Sequence, residues 1–316
     1  MSVSAPEHLT VFDRVFAEFF GTRPGSSAVL VTERERTWTL RGGGEAGREG
    51  QAGEEAVARV GASAFERLAH RDFAGLTPEE VAEMRKLIAT MAWRPSLVRR
   101  RRFRFSATGP RPDLRRTVRE AAGGDLFDLA WSQPRMRRRP LLLIADVSGS
   151  MERYSEMLLY FAHAIRGRLG RLEAFVFSTH LTRITRQLYK RDPGEALAEV
   201  GATVDDWSGG TKIGDAVRTF NREWSRRVTH GGPIAVMVSD GWDRGDPEVL
   251  TEEMARLRRT VHRLVWLNPL AGRPGFAPDT RGMQAALPYI DDFLPAANLT
   301  DLTSVVELLE SIPARR

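Results

Sequence analysis

The chain has 316 residues, 42% of them hydrophobic and 28% charged, with a formal charge of +6 and a pI near 10.2, a length and balance that suit one large domain with a smaller one beside it. It has no cysteine, which excludes disulfides, zinc–thiolate sites and thiol nucleophiles together and fits a reducing compartment. No apolar run approaches the roughly 18–20 residues that cross a bilayer and Met1 to Gly21 carries no basic leader, so a cytoplasmic protein without a membrane segment is expected.

In chain order, Val11, Phe12, Val15, Phe16, Phe19 and Phe20 form a helical stripe with Asp13, Arg14 and Glu18 opposite. From Thr32 to Gly61 the composition turns to Gly, Glu, Arg and Ala, the pattern of a flexible loop. Thr77-Pro78-Glu79-Glu80 then reads as a capping box with proline in the first turn, and Val81, Met84, Leu87, Ile88 and Met91 give the buried face of the helix that follows. A helical N-terminal region over 1–92 is predicted, with the Gly/Glu-rich loop at 32–61 inside it.

Residues 93–139 read as an arginine-rich connector. Fourteen arginines lie between Ala92 and Pro140, against Asp113, Glu120, Asp125 and Asp128. Such a segment is either a solvated arm or a docking surface for an acidic protein face or for nucleic acid, with Trp93, Phe103 and Phe105 available for base stacking in the last case.

The 140–316 region alternates strands and helices. Leu141 to Asp146 is a short apolar strand after Pro140, of the kind buried inside a parallel sheet. Met157, Leu158, Tyr160, Phe161, Ala164 and Ile165 mark a helix that packs on that sheet. Leu172–Ser178 and Leu181–Tyr189 read as strands joined by Thr179 and His180, which predicts an antiparallel edge. Helices follow at Pro193–Val200 and from Ile213 to Trp224. Ile234–Val238 is a strand, Asp246-Pro247 caps a helix carrying Leu250, Met254 and Leu257, and Leu264–Leu267 is another strand. A Pro/Gly-rich loop to Met283, a short stretch Tyr289–Leu294 and a helix over about Leu302–Leu309 complete it. The fold class is α/β, a doubly wound and mostly parallel sheet with helices on both faces.

Sheets of this kind bind ligands outside the carboxyl ends of their strands. There the sequence places Asp146, Ser148 and Ser150 around Gly149, then Thr211 after Gly209-Gly210, then Asp240 after the strand that ends at Val238. An oxygen-only donor set selects Mg²⁺, Mn²⁺ or Ca²⁺ over zinc or copper. An ordinary polar turn also favours Asp and Ser, but two strand ends with the same strand-then-acid grammar and Thr211 in register with them are harder to explain that way. Asp246 reads as a helix cap, Asp243 as a surface loop acid, and Trp207 and Trp242 as either local packing or an aromatic rim.

The pattern Asp146-x-Ser148-x-Ser150, Thr211, Asp240 resembles the metal-ion-dependent adhesion site of von Willebrand factor type A (VWA) domains. Phe175-Val176-Phe177-Ser178-Thr179, Trp207-Ser208-Gly209-Gly210-Thr211, Ser239-Asp240-Gly241-Trp242-Asp243 and Trp266-Leu267-Asn268-Pro269-Leu270 look like the CoxE-like branch. Val11-Phe12-Asp13-Arg14-Val15-Phe16 and Asp113-Leu114-Arg115-Arg116-Thr117 are similar to the same branch. The resemblance implies Ser148 and Ser150 as direct metal ligands, with Asp146, Asp240 and Thr211 binding directly or through water. It implies Mg²⁺ and an open position for a partner carboxylate; Gly149, Gly210, Arg115 and Arg116 are expected to be partner-binding, as is Trp242 on the rim reading. It implies a MoxR-type AAA+ ATPase partner in maturation of a client enzyme, a molybdenum hydroxylase being the associated type.

Enzyme readings fare worse on the residues. An aspartyl phosphotransferase wants a second acid where Ser148 stands, Gly209-Gly210-Thr211-Lys212 lacks the order of a phosphate loop, and neither His163 nor His180 sits beside a paired acid. The expectation is a non-enzymatic interaction module, with nucleic-acid binding through Arg94 to Arg139 as the alternative.

Overall fold

The computed structural model describes residues 65–91, 93, 97–121, 129–203 and 210–313. The stripe at Val11–Phe20, the loop at 32–61 and the Trp207–Gly209 segment lie outside them. In chain order the elements are α1 (Pro78–Thr90), β1 (Leu97–Ser106), β2 (Arg111–Pro112), α2 (Leu114–Ala121), β3 (Trp131–Arg138), β4 (Leu141–Asp146), α3 (Glu152–Ile165), β5 (Leu172–Phe177), β6 (Leu181–Arg183), α4 (Thr185–Leu188), α5 (Pro193–Thr203), α6 (Ile213–Thr219), α7 (Ser225–Val228), β7 (Ile234–Val238), α8 (Pro247–Thr260), β8 (Arg263–Asn268), α9 (Arg281–Ala286), β9 (Asp292–Pro295) and α10 (Leu299–Ser311).

Six strands form the main sheet in the order β6-β5-β4-β7-β8-β9. All neighbours are parallel except β5 and β6, whose antiparallel pairing makes the edge that the two-residue link Thr179-His180 predicts. The chain winds from β4 outward to β5 on one side, then crosses back to lay β7 against the other side of β4. Neighbouring strands at that crossing send their connections opposite ways, which opens a crevice at their carboxyl ends.

Side-chain alternation along β4 divides the core in two. Leu141, Leu143 and Ala145 join Met157, Leu158 and Phe161 of α3 and Leu302, Val305 and Leu309 of α10 on one face. Leu142 and Ile144 join Ile213 and Val217 of α6, Leu250 and Met254 of α8 and Met283 of α9 on the other. Helix α1 belongs to the first of these cores: Val81, Met84 and Ile88 are buried in it, as is Trp93. The capping box that starts α1 is formed, with Glu80 N–H donating to Thr77 Oγ1 and Thr77 N–H to Glu80 Oε2.

Three sequence expectations need correction. Leu181–Tyr189 is not one strand: pairing stops at Arg183 and Thr185–Leu188 is a helical turn. Ile184 and Leu188, both fully buried, are four apart, and so short an apolar run cannot be assigned by periodicity alone. The Pro/Gly-rich loop, expected to run to Met283, stops at Thr280, which caps α9 by accepting from Met283 N–H. The arginine-rich segment, expected as a connector, contains a three-stranded antiparallel sheet ordered β1-β3-β2, with α2 between β2 and β3.

Candidate functional site

Strand β4 ends at Asp146, which is fully buried. The backbone then turns through Ser148 into a short 3₁₀ turn, Gly149–Met151, that leads into α3. Asp146 Oδ1 accepts from Ser148 N–H at 2.9 Å, which closes the loop back on its own start. From the neighbouring strand end the Ser239 hydroxyl donates to Asp146 Oδ2 at 2.9 Å. Ser155, from the first turns of α3, donates to the Asp146 carbonyl. One carboxylate therefore ties together two strand ends.

The second carboxylate faces it from β7. Ser150 Oγ donates to Asp240 Oδ2 at 2.9 Å and lies 3.4 Å from Ser148 Oγ. Asp240 Oδ1 accepts from Trp242 N–H at 3.0 Å, and the Asp240 carbonyl accepts from the Asn268 side-chain amide at 3.1 Å. Ser148 and Asp240 are 5% exposed, while Ser150 stands at the surface. Ser150 thus forms the outer lip of the cluster, with Ser148 and the two carboxylates buried behind it.

Burial pushes the Asp146 carboxyl up to about 6, and the nearby Asp240 charge adds to the rise; the Ser148 N–H and hydroxyl and the Ser239 hydroxyl act against it. Two acids held this close with only neutral donors between them want a cation. The donors fit one: carboxylate and hydroxyl oxygens converge from two strand ends, and hard oxygen sets of this kind accept Mg²⁺, Mn²⁺ or Ca²⁺. Among the described residues no three His, Cys, Asp or Glu side chains cluster as a metal site. Two carboxylates supplemented by hydroxyls is a different donor set.

Thr211 is buried on the segment that enters α6. Its carbonyl accepts from Arg244 N–H at 2.9 Å, and the next residue, Lys212, donates its N–H to the Ser178 carbonyl at 3.1 Å. The loop after β7 clamps this segment in a second way. Asp243 Oδ1 accepts from Ile213 N–H and from Gly245 N–H, both at 3.0 Å, so it caps α6 from across the site. Asp243 is therefore a half-buried brace, not the surface loop acid expected. Burial raises its pKa against those backbone N–H groups. Its other oxygen, Oδ2, is buried without a partner among the described residues.

Of the remaining expected site residues, Trp242 is 66% exposed beside Asp240, as a rim residue would be. A side chain at Gly210 would strike that of Arg244, whereas a Cβ at Gly149 would face open space. Arg115 and Arg116 lie on α2 with the small sheet and make no hydrogen bond to this cluster. His163 is structural, its Nε2 at 3.0 Å from the Lys190 carbonyl. Sequence reasoning passed over Ser239 and Asn268. Ser239 was legible in one respect, since it immediately precedes the second acid of the repeated strand-then-acid pattern.

The family model described as "VWA domain containing CoxE-like protein" matches residues 84–302. The chain belongs to this family. No curated protein matches the sequence significantly. Among solved structures the CoxE-like chain is similar to BatB from Bacteroides thetaiotaomicron, at 14% identity over 54% of this chain and 96% of that one, with a TM-score of 0.39. It is similar to the SpRpn10 VWA domain, at 13% identity over 56% and 99% with a TM-score of 0.36. It is also similar to proximal thread matrix protein 1 from the mussel byssus, whose structure has a zinc-occupied MIDAS motif; the identity is 15% over 54% of this chain and 44% of that one, with a TM-score of 0.38. Among the described residues of this VWA protein no helix is long and apolar enough to cross a membrane.

Proposed function

We propose that this CoxE-like protein is a non-enzymatic interaction module that captures a carboxylate of a partner protein on a divalent cation, Mg²⁺ by expectation and Mn²⁺ or Ca²⁺ by the same donor chemistry. The carrying observation is the Ser150 hydroxyl, 2.9 Å from Asp240 Oδ2, 3.4 Å from Ser148 Oγ and open to solvent. Ser148 and Ser150 would be the direct ligands, with Asp146, Asp240 and Thr211 completing the set directly or through water. A cation held by these oxygens would supply Lewis acidity for an external carboxylate. The protein's own residues do the positioning: Ser239 and Ser148 N–H fix Asp146, Trp242 N–H fixes Asp240, and Asp243 with Arg244 holds the Thr211 segment.

The family resemblance supports a MoxR-type AAA+ ATPase as the partner, the pair acting as a maturation chaperone for a client enzyme, with molybdenum hydroxylases as the candidate class. A direct test is isothermal titration of Mg²⁺ into the chelator-stripped chain, followed by capture of the purified ATPase. Binding of Mg²⁺ and Mg²⁺-dependent capture, both lost in Ser150→Ala and Asp146→Ala, are expected. Metal binding without capture would remove the ATPase and keep the socket. Absence of Mg²⁺, Mn²⁺ and Ca²⁺ binding would remove both.

A further inference from the structure

The small sheet displays an unusual surface. Nine large hydrophobic side chains are exposed among the described residues, and seven of them fall between Leu97 and Met136, leaving Tyr189 and Trp242 as the other two. Residues 97–121 and 129–139 also carry thirteen arginines against two acids. Both acids are engaged locally: Glu120 pairs with Arg116, and Asp113 accepts from the Arg116 backbone N–H. Arg139 is buried and Arg116 is paired, but nine of the arginines are exposed beside the apolar groups, among them Arg111, Arg115 and Arg119.

Helix α2 shows how the two are arranged. Leu114 and Val118, 65% and 69% exposed, stand one turn apart on one stripe, and Arg115 and Arg119 form the exposed stripe next to it. Beneath, Arg116 lies over the Phe105 ring at 3.8 Å and Arg111 over the Phe103 ring at 5.5 Å. Clustered exposed apolar groups rimmed by polar ones mark an interaction site.

We propose that α2 and the face of the small sheet dock an acidic amphipathic protein segment, one with apolar side chains at helical spacing flanked by carboxylates. The charge complementarity is with arginine; the spacing complementarity is with Leu114 and Val118. Nucleic acid fits less well. Base recognition on an open surface uses aromatic faces, and here arginines already cover one face of each phenylalanine, Trp93 is buried, and the most exposed apolar residues are aliphatic. This surface is separate from the metal socket and does not depend on it.

The full chain is tested with three labelled probes: a peptide with leucines at i and i+4 flanked by glutamates, the same composition scrambled to break that spacing, and mixed-sequence single-stranded RNA. The patterned peptide binds roughly tenfold tighter than the scrambled one. Leu114→Ser with Val118→Ser, exposed sites whose replacement leaves the circular dichroism unchanged, erases that preference. Arg115→Glu with Arg119→Glu weakens both peptides, and Asp146→Ala or chelator changes neither. Equal binding of the two peptides, or no peptide binding, overturns the proposal. So does RNA binding that is tighter than peptide binding and indifferent to the Leu114 and Val118 changes. A dimer of the free chain that the serine pair dissociates in light scattering would assign the face to a second copy and overturn it as well.

Discussion

The Ser239 hydroxyl donates to Asp146 Oδ2 at 2.9 Å across the seam between β4 and β7, with both residues fully buried. The same Ser239 oxygen accepts from Gly241 N–H at 3.0 Å, and the Ser239 carbonyl accepts from the Trp266 indole N–H at 2.9 Å. The acid that ends β4 is thus held by a hydroxyl from the loop that delivers the second acid, and the spacing of the two carboxylates is fixed by the sheet.

Ser239→Ala removes that brace and leaves a buried carboxylate oxygen short of a partner, a change that costs about 1–3 kcal/mol. Thermal denaturation shows a lower midpoint, and the Mg²⁺-induced rise in midpoint shrinks. A wild-type response of Ser239→Ala to Mg²⁺ would mean that Asp146 is positioned without it.

Asp243 caps α6 through Ile213 N–H. Asp243→Ala loses a cap worth about 1 kcal/mol, whereas Asp243→Asn keeps a side-chain oxygen acceptor and avoids burying a charge. The expected order of stability in urea is alanine below asparagine, with asparagine close to wild type. Mg²⁺ affinity by titration calorimetry falls in the alanine variant, because the Thr211 segment loses an anchor. Equal affinity in both variants would remove Asp243 from the site.

Gly241 sits at φ +82°, and a Cβ there would run into the Met283 side chain. Gly241→Ala combines a left-handed backbone cost of about 1–2 kcal/mol with a clash at the loop that carries Asp240. Trimming the obstacle in Gly241→Ala/Met283→Ala removes the clash and leaves the backbone strain, while opening a cavity at a fully buried methionine. The double variant is therefore more stable than the sum of the two single changes predicts. Strict additivity in a double-mutant cycle would deny the contact.

Glu173 supplies one acid-side contribution to the pH dependence of stability. Burial pulls its carboxyl up, but Arg183, Arg171 and the Thr185 hydroxyl together outweigh burial and hold it below its ordinary 4.5. The folded state then binds fewer protons at this group than the unfolded state does. Its stabilisation is complete above about pH 4.5 and drains away as pH falls through the folded-state value. In acid titrations followed by circular dichroism, Glu173→Gln flattens that part of the stability curve and lowers the plateau near neutrality. An unchanged slope would assign the acid sensitivity elsewhere.

The sequence by itself determined the strands and most of the helices of the main domain. Fully apolar runs such as Leu141–Ala145 and Ile234–Val238 belong inside a sheet covered on both faces, and capping patterns such as Thr77 to Glu80 and Asp246-Pro247 mark helix starts wherever they occur. It also determined which oxygens could meet, since Asp146, Ser148, Ser150 and Asp240 follow strand ends in a doubly wound order. Tertiary structure alone decided the partners of those oxygens. Ser239 reaches Asp146 from 93 residues away, and Asp243 reaches Ile213 from 30, because the β7 crossover sets those loops beside β4; local composition says nothing about which strand ends become neighbours. It also converted the arginine-rich segment from an expected connector into a sheet and helix. With so few buried residues, that segment carried no periodic signal strong enough to announce them.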